Sequence, residues 1–340
     1  MPWNERRVLV TGATGFLGGA VARRLAGEGA EVLGLGRDAR RGAALAAAGI
    51  GFQRVELTPG STGLDEACRG RHIVFHCAAL SSPWGRPAEF DEANVLATRA
   101  VVRAAGGAGV TRLIHVSTPS LYFGFHDRLD IPEDAPPADP PPNLYAASKL
   151  AAESEVGTAA AAGLATVILR PRAIFGPGDT VLFPRLLRVA RRGRFPLIGR
   201  GDPWLDATYV DNVVDALLLA ARAPDSCVGR TYNITNGEPW RREALLRAMF
   251  DACGLEVRWR RLPRGPVMAA AGALEVISRL ATRGRWEPPL TRYTAGVLAY
   301  SQTLDLTAAR RDLGYSPRVG MAQGIAHFAR WWLKEGYAHH

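Results

Sequence analysis

The chain has 340 residues, of which 47% are hydrophobic, and a formal net charge of +10 at pH 7. This composition favours a folded protein with a large core over a disordered chain, and the length fits two lobes that share a core. No apolar run reaches the roughly 18 residues of a membrane span, and the first residues show no signal-peptide pattern. The sequence therefore predicts a soluble, cytoplasmic protein without an integral membrane segment.

The positive charge does not indicate a nucleic-acid partner. Of the 42 basic residues only Lys149 and Lys334 are lysines, and the arginines are spread along the whole chain. Short arginine clusters lack the interleaved aromatic residues of a single-strand binder. The four cysteines form no CxxC pair, which argues against both a disulfide framework and a metal site. We expect a small-molecule partner, no nucleic acid and no metal, and the sequence is compatible with a homodimer.

The first 170 residues alternate between two patterns. Short apolar, β-branched runs predict strands, and stretches with helical spacing lie between them. The predicted strands are 7–11, 31–35, 72–77, 112–117 and 166–169, and the predicted helices are 17–27, 89–106 and 144–162. This order is typical of βαβ units, so we expect an α/β fold with a doubly wound parallel (Rossmann) sheet.

The pattern becomes irregular after Pro171. A helix at 209–221 and a strand at 231–235 are predicted to rejoin the first sheet, and the remainder is mostly helical. We therefore expect a dinucleotide-binding domain at 1–172, rejoined by about 207–235. A smaller, mostly helical substrate-binding lobe would comprise 173–206 and 236–338.

A glycine-rich turn follows the first predicted strand. Gly12, Gly15 and Gly18 stand at three-residue spacing, and a helical pattern begins directly after them. Glycines here permit a tight turn, close approach of a pyrophosphate to the backbone, and close packing of helix on strand. The turn therefore predicts a dinucleotide site, although glycine triplets also occur in purely structural turns.

The end of the second predicted strand bears on the choice of cofactor. A free ribose 2′-hydroxyl is normally bound there by a carboxylate, whereas a 2′-phosphate requires an arginine. This position holds Gly36, followed by Arg37, with Arg40 and Arg41 shortly after. NADP(H) is therefore favoured over NAD(H). Asp38 could instead be the ribose-binding carboxylate if the strand ends one or two residues later. The arginines could also be ordinary solvent-exposed residues at the start of a helix.

Tyr145 and Lys149 form a pair with i, i+4 spacing at the start of a predicted helix. This spacing places both side chains on one helix face. A nearby ammonium should lower the pKa of the phenol and make it a better proton donor and acceptor. One of only two lysines in an arginine-rich chain stands here. Upstream, the hydroxyls of Ser117, Thr118 and Ser120 follow a predicted strand, where any of them could bind a reacting oxygen.

With these features the sequence resembles the extended short-chain dehydrogenases/reductases, and among them the 3β-hydroxysteroid dehydrogenase-like branch. The resemblance covers nearly the whole chain. Its marks are TGATGFLG (11–18), HCAA (76–79), Asn94-Val95, STPSLY (117–122), YAASK (145–149), LRPRAIFGPGD (169–179) and TYVDNVVDA (208–216). Several segments further resemble the 2-alkyl-3-oxoalkanoate reductases, which reduce a β-keto acid with NADPH.

The resemblance implies roles for individual residues. Tyr145 would be the acid/base, Lys149 its partner and a ribose contact, Thr118 the catalytic hydroxyl, and Asn94 the supporting asparagine. Besides the glycines, Arg37 and the catalytic pair, the implied cofactor contacts are Thr14, Phe16, Leu17, Glu56, Leu57, Ala78, Ala79 and Pro171. Glu56-Leu57 replaces the usual Asp-Leu of the family.

The expected substrate is an apolar ketone or secondary alcohol, either a 3-oxo acid or a sterol-like compound. We expect substrate contacts from Trp84, Tyr122, Arg172 and Trp204, with Arg172 available to a carboxylate or to a structural ion pair. The apolar, helical region 267–281 could line the pocket or simply pack on the core. The alternative function is a nucleotide-sugar epimerase or dehydratase with bound NAD. However, the segment before TYVDN lacks the arginine that such enzymes often place there.

Overall fold

A computed structural model describes residues 2–335. In this part of the chain the strands are β1 (Arg7–Thr11), β2 (Glu31–Gly36), β3 (Gly51–Arg54), β4 (Ile73–His76), β5 (Arg112–Val116), β6 (Arg128–Ile131), β7 (Thr166–Pro171), β8 (Ile174–Phe175), β9 (Arg194–Ile198), β10 (Trp204–Leu205), β11 (Thr208–Tyr209), β12 (Thr231–Ile234), β13 (Trp240–Arg241), β14 (Arg258–Leu262) and β15 (Gln302–Leu304). Seven of them form one parallel sheet in the order β12-β7-β5-β4-β1-β2-β3.

The helices of the same residues are α1 (Phe16–Gly27), α2 (Ala39–Ala47), α3 (Thr62–Cys68), α4 (Pro87–Phe90), α5 (Ala97–Gly107), α6 (Leu144–Ala161), α7 (Phe183–Ala190), α8 (Val210–Arg222), α9 (Arg242–Ala252), α10 (Arg264–Thr282), α11 (Arg292–Ala299), α12 (Thr307–Leu313) and α13 (Met321–Lys334). A π-helical segment, Asp91–Leu96, joins α4 to α5, and a short 3-10 helix covers Pro119–Tyr122. None of the helices in residues 2–335 combines the length and apolar character that crossing a bilayer requires.

Alternation along β1 explains why helices cover both faces of the sheet. Val8 and Val10 belong to a buried cluster with α1 and α8, whereas Leu9 belongs to a cluster with α3, α5 and α6. Successive strand side chains point to opposite faces, so an uninterrupted apolar strand requires cover on both sides. The predicted doubly wound parallel sheet is confirmed.

A second core lies outside the sheet. Aromatic side chains of α7, α9, β9 and α13 pack together there, including Phe183, Phe195, Phe250, Phe328 and Trp332. Small sheets support it, in the orders β13-β10-β15-β6 and β14-β9. The C-terminal region is thus mostly helical, with more strand than the sequence indicated. The division into two lobes stays a prediction, and Met1 and residues 336–338 of the predicted bounds lie outside the described residues.

Two local predictions were incomplete. β3 was missed because it is a four-residue edge strand whose side chains are exposed or half-buried, so it carries no apolar run. The predicted helix 89–106 begins at Pro87 and contains the π-helical turn at Asn94. Such turns occur mostly within α-helices and often at functional sites.

Candidate active site

The glycine turn lies between β1 and α1, at the carboxyl edge of the sheet. Gly12 has φ +69°, and a Cβ there would lie 2.8 Å from the backbone of Ala78. A Cβ on Gly18 would lie 2.3 Å from the carbonyl oxygen of Gly12. Since real Cβ atoms never approach backbone so closely, both positions require glycine. No side chain caps α1 at Gly15, so its first N–H groups can bind a phosphate.

The other residues implied for this turn line its rim. The Thr14 carbonyl accepts a hydrogen bond of 3.3 Å from the Arg41 guanidinium, which brings α2 to the turn. Phe16 and Leu17 open α1 and pack partly against the second core. The turn is therefore held from both the sheet and the C-terminal region.

A side chain at the end of β2 would collide with Thr14 as it is placed. A Cβ on Gly36 would lie 2.5 Å from the Thr14 hydroxyl oxygen. Asp38 caps α2, where its Oδ1 accepts a 3.0 Å hydrogen bond from the Arg41 backbone N–H. Arg37 is exposed beside them. Asp38, the alternative ribose ligand, thus uses its carboxylate to cap α2.

The loop after β4 closes the opposite side of the turn. Ala78 donates its backbone N–H to the Thr11 hydroxyl at 3.3 Å, and Ala79 is exposed. Asn94 holds this loop and α6 together: its Oδ1 accepts from the Leu80 N–H at 2.7 Å, and its Nδ2 donates to the Ser148 hydroxyl at 2.8 Å. Asn94 thus fixes the loop against the helix that carries Tyr145 and Lys149.

Two of the implied cofactor contacts, Glu56 and Leu57, differ in how far they are exposed. Glu56 is exposed and Leu57 is half-buried, and both lie just beyond β3. Leu57 packs against the buried cluster beneath α3 and α5. Leu57 therefore has a packing role in the protein itself. For Glu56 the implied cofactor contact is supported only by its position at the edge of the sheet.

Lys149 is buried beneath the site, with a side chain only 1% exposed. Its Nζ lies 3.0 Å from Nε2 of His115, on β5. Burial lowers the pKa of Lys149 to about 8, although the carboxylate of Glu153 opposes the shift. Burial also lowers the pKa of His115 well below its usual value, so the imidazole is neutral. No sequence motif pointed to His115, whose contact with Lys149 joins β5 to α6.

Tyr145 begins α6, which Asn143 caps by accepting a 2.8 Å hydrogen bond from the Ala146 N–H. Burial raises the pKa of Tyr145 above its usual value, and a hydrogen bond with Thr118 opposes the rise. The expectation that Lys149 lowers this pKa is not met in the structure, because the ammonium is directed toward His115. Tyr145 is therefore protonated at neutral pH, as a proton donor must be.

A hydrogen-bonded chain of hydroxyl groups extends from Tyr145. Thr118, which forms the hydrogen bond with Tyr145, donates to the Ser120 hydroxyl at 3.0 Å. The Ser120 oxygen lies 2.6 Å from the Tyr293 hydroxyl, on α11. The buried Ser117 hydroxyl has no hydrogen-bond partner among the described residues. Of the three candidate hydroxyls, Thr118 is thus the one beside Tyr145.

Arg172 stands at the far end of this chain of hydroxyl groups. Its side chain is 5% exposed and hydrogen-bonds to Tyr293, and its Nε–H has no partner within residues 2–335. Burial lowers the pKa of Arg172, while the charges of Tyr293 and Asp206 oppose this. Asp206 is itself buried, which raises its pKa to about 6. No carboxylate of the described residues makes a direct ion pair with Arg172, so the expected structural ion pair is absent from them.

Three residues expected to contact substrate have side chains engaged in other contacts. The Tyr122 hydroxyl is buried against Arg170, which Glu153 holds in an ion pair. Trp84 donates its indole N–H to the Gly284 carbonyl at 3.1 Å, and Trp204 lies beneath the Arg241 guanidinium. The Tyr122 expectation is corrected, because this phenol serves a buried charge cluster instead of an open site.

Comparisons with known proteins agree with this geometry. Residues 8–235 match the NAD dependent epimerase/dehydratase family. The chain is 38% identical over 328 residues to a 2-alkyl-3-oxoalkanoate reductase of Stenotrophomonas maltophilia (strain K279a), covering 94% of this chain and 97% of that protein. It is 33% identical to the decarboxylating sterol-4-alpha-carboxylate 3-dehydrogenase of Saccharomyces cerevisiae (strain ATCC 204508 / S288c), covering 78% of this chain and 77% of that protein.

A solved structure is also similar. It is described as MoeE5 in complex with UDP-glucuronic acid and NAD, and superimposes with a TM-score of 0.74 at 27% identity, covering 96% of this chain and 99% of that one. The dinucleotide turn, the Tyr145–Lys149 pair and the matched family together assign the chain to an enzyme class. The chain belongs to the NAD dependent epimerase/dehydratase family, that is, to the extended short-chain dehydrogenases/reductases, and is an NAD(P)-dependent oxidoreductase.

Proposed function

We propose that the protein interconverts a ketone and a secondary alcohol with NADP(H), on an apolar substrate that carries a carboxylate near the reacting carbon. A 3-oxo acid is the substrate class that fits best. The observation that carries this proposal is Arg172, a buried cation that is joined to the catalytic hydroxyls and lacks a direct ion pair within the described residues. A buried charge is costly unless it is paired, so a carboxylate partner would be strongly bound.

The glycine turn and its surroundings fit a dinucleotide. Gly12, Gly15 and Gly18 would hold the pyrophosphate, and Arg37 the 2′-phosphate of NADP(H). The missing space at Gly36 and the capping role of Asp38 both favour a phosphate over a free ribose hydroxyl. Lys149 would contact the nicotinamide ribose, with Ala78, Ala79 and Pro171 beside the ring. When bound, the cofactor supplies or accepts the hydride.

The chain's own residues handle the proton. In the direction of reduction, Tyr145 would donate its phenolic proton to the carbonyl oxygen, and Thr118 would donate a hydrogen bond to the same oxygen. The hydroxyl of Thr118 lies beside Tyr145 and donates to Ser120, so it would rotate from Ser120 toward the substrate oxygen to donate this hydrogen bond. Lys149, whose ammonium is directed toward His115, would act through the nicotinamide ribose instead of directly on the phenolate. Asn94 keeps the catalytic helix against the loop after β4.

The names of the relatives agree with a carboxylate close to the reacting carbon. In a 2-alkyl-3-oxoalkanoate the carbon next to the ketone carries the carboxylate, and in a sterol-4-carboxylate acted on at carbon 3 the arrangement is the same. The chain Arg172–Tyr293–Ser120–Thr118–Tyr145 offers a cation at one end and a proton donor at the other. This matches a molecule with an anionic group and a ketone a few bonds apart.

Aromatic side chains lie beside this hydrogen-bonded chain of residues. Phe123 packs edge-on against Tyr293 and Phe125, with ring centroids 5.5 and 5.0 Å apart, and Tyr300 lies beside them. Phe123 is buried beneath this group, whereas Phe125, Tyr293 and Tyr300 are half-buried, so these three rings would contact the alkyl part of a substrate. Phe183, in contrast, lies within the second core and is unavailable to a ligand. An apolar substrate portion therefore has a neighbouring surface on the side of α11.

The test measures kcat/KM on 3-oxo acids of increasing length and on matched ketones that lack the carboxylate. Each buried methylene should raise kcat/KM about fourfold, from about 0.8 kcal/mol. Arg172→Ala should reduce kcat/KM about tenfold to hundredfold for acids and much less for ketones, since a hydrogen bond to a charged group contributes about 1.5–3 kcal/mol. The acid-to-ketone ratio is insensitive to a general loss of stability.

Two results would contradict the proposal. Equal losses on acids and ketones would remove Arg172 from substrate binding. Rapid conversion of a UDP-sugar without net change in cofactor would favour the epimerase alternative over the reductase. UDP-sugars are worth testing because the similar solved structure is a complex with UDP-glucuronic acid.

A further inference from the structure

The outer face of α10 is apolar and exposed. Only Ala271 and Ser278 are buried in this 19-residue helix. Near its end Val276, Ile277 and Leu280 are 55%, 53% and 80% exposed, and Trp286, just beyond, is 41% exposed. These four are half of the eight large apolar side chains that are exposed among the described residues. We call Val276, Ile277, Leu280 and Trp286 the apolar tip.

The apolar tip continues into a longer stripe. Exposed small residues occupy the same side of the helix at helical spacing toward its beginning, namely Pro266, Ala269, Ala270 and Ala273. Neither these positions nor the tip itself carries a charged residue. The apolar pattern predicted that this region lines the pocket or packs on the core, and Ile277 and Leu280 do not pack on the core. A face of this size that is left to water usually marks an interaction site.

Positive charge surrounds the apolar tip. Arg279, Arg283 and Arg285 are exposed beside it; none of the ion pairs within residues 2–335 involves Arg283 or Arg285, although the charge of Arg285 acts on Glu89. Two nearby carboxylates already have arginine partners: Glu89 pairs with Arg86 at 2.7 Å and Glu287 with Arg185 at 2.9 Å. The remaining acid, Glu275, accepts a hydrogen bond from the Arg292 backbone N–H. The rim of the tip therefore has an excess of positive charge.

The apolar tip adjoins the catalytic region. Trp84, on the loop after β4, donates to the Gly284 carbonyl and lies 5.3 Å from the Arg279 guanidinium. On the other side α10 packs on α11, which carries Tyr293. The loop after β4 and α11, which are contacted by α10 and the residues just beyond it, both carry residues of the candidate active site.

We propose that the apolar tip docks onto the surface of an anionic phospholipid bilayer. Exposed Leu, Ile and Trp side chains insert at the level of the headgroups, and arginines around them attract anionic lipids. A second copy of the chain fits less well: in a two-fold contact the same patch meets itself, so the arginines of both copies would be brought together. The proposal concerns an interaction surface and does not depend on the substrate proposed above.

The experiment is co-sedimentation of the full chain with vesicles of phosphatidylcholine alone or mixed with phosphatidylglycerol. We expect binding to the anionic vesicles that weakens as salt is raised. Arg283→Ala with Arg285→Ala should weaken the partition coefficient about thirtyfold, at about 1 kcal/mol for each arginine. Ile277→Glu with Leu280→Glu should lower it by at least about tenfold.

Matched variants control for general effects of charge. Leu333→Glu places the same change at another exposed apolar residue, and Arg258→Ala with Arg260→Ala removes two exposed arginines from β14. Both should bind vesicles like the wild type, and all variants should retain turnover of a water-soluble substrate. The proposal is overturned if the wild type fails to bind anionic vesicles. It is equally overturned if light scattering shows a wild-type dimer that the Leu280→Glu change dissociates, because the tip would then be a contact between copies.

Discussion

Replacing Lys149 with Met should abolish turnover and change how stability depends on pH. The ammonium is buried, with a pKa lowered from 10.5 to about 8. Each pKa unit corresponds to about 1.4 kcal/mol, so keeping this group charged in the folded protein costs about 3 kcal/mol at neutral pH. Met has a similar length and no charge, and it removes that cost. It also leaves His115 Nε2 without its donor, which costs about 1–3 kcal/mol.

The pH dependence isolates the charge from the lost hydrogen bond. Between about pH 8 and 10.5 the unfolded chain keeps the proton on Lys149 while the folded protein loses it, so wild-type stability rises with pH across this window. The variant lacks this rise. Its free energy of unfolding, relative to wild type, should therefore fall by about 3 kcal/mol from pH 7 to pH 10.5.

Urea unfolding of the cofactor-free proteins at several pH values measures this difference. Lys334→Met is the matched control, since the other lysine of the chain is exposed and its replacement should give no pH-dependent change. A stability difference for Lys149→Met that is the same at every pH would show that the ammonium is not buried as a cation. Unchanged NADPH affinity in this variant would separately refute its role at the ribose.

Three further changes test the site. Tyr145→Phe should lower kcat about 10²–10⁴-fold while NADPH affinity, measured by fluorescence titration, stays the same, and retention of more than about a tenth of the activity would contradict the proton transfer. Arg37→Ala should weaken NADPH about tenfold or more and leave NADH binding unaffected, whereas equal wild-type affinities for both cofactors would refute the NADP(H) preference. Gly18→Ala should destabilise the protein by about 1–3 kcal/mol and impair dinucleotide binding, because its Cβ would meet the Gly12 carbonyl at 2.3 Å. Gly27→Ala, at the other end of α1 with no atom within 4 Å of the added Cβ, is its control and should be harmless in thermal unfolding.

The sequence by itself determined the features that depend on short stretches of chain. The order of strands and helices follows from local hydrophobic periodicity, and the glycine turn follows from backbone constraints that only Gly12 and Gly18 can meet. The Tyr145–Lys149 pair is visible because its i, i+4 spacing is a property of one helix. Each of these signals is complete within about ten residues, so no knowledge of distant contacts is required to find it.

Only the tertiary structure decided what surrounds those residues. Tyr293 reaches Ser120 across 173 positions of sequence, and His115 meets Lys149 across two elements, so no local pattern predicts either contact. The pKa values of Tyr145 and Lys149 depend on desolvation, which arises only when the sheet, α6 and α11 enclose them. For α10 the apolar pattern indicated a helix correctly, but periodicity does not tell which side of a helix is covered. The neighbouring elements decide that, and here they leave Leu280 in contact with solvent.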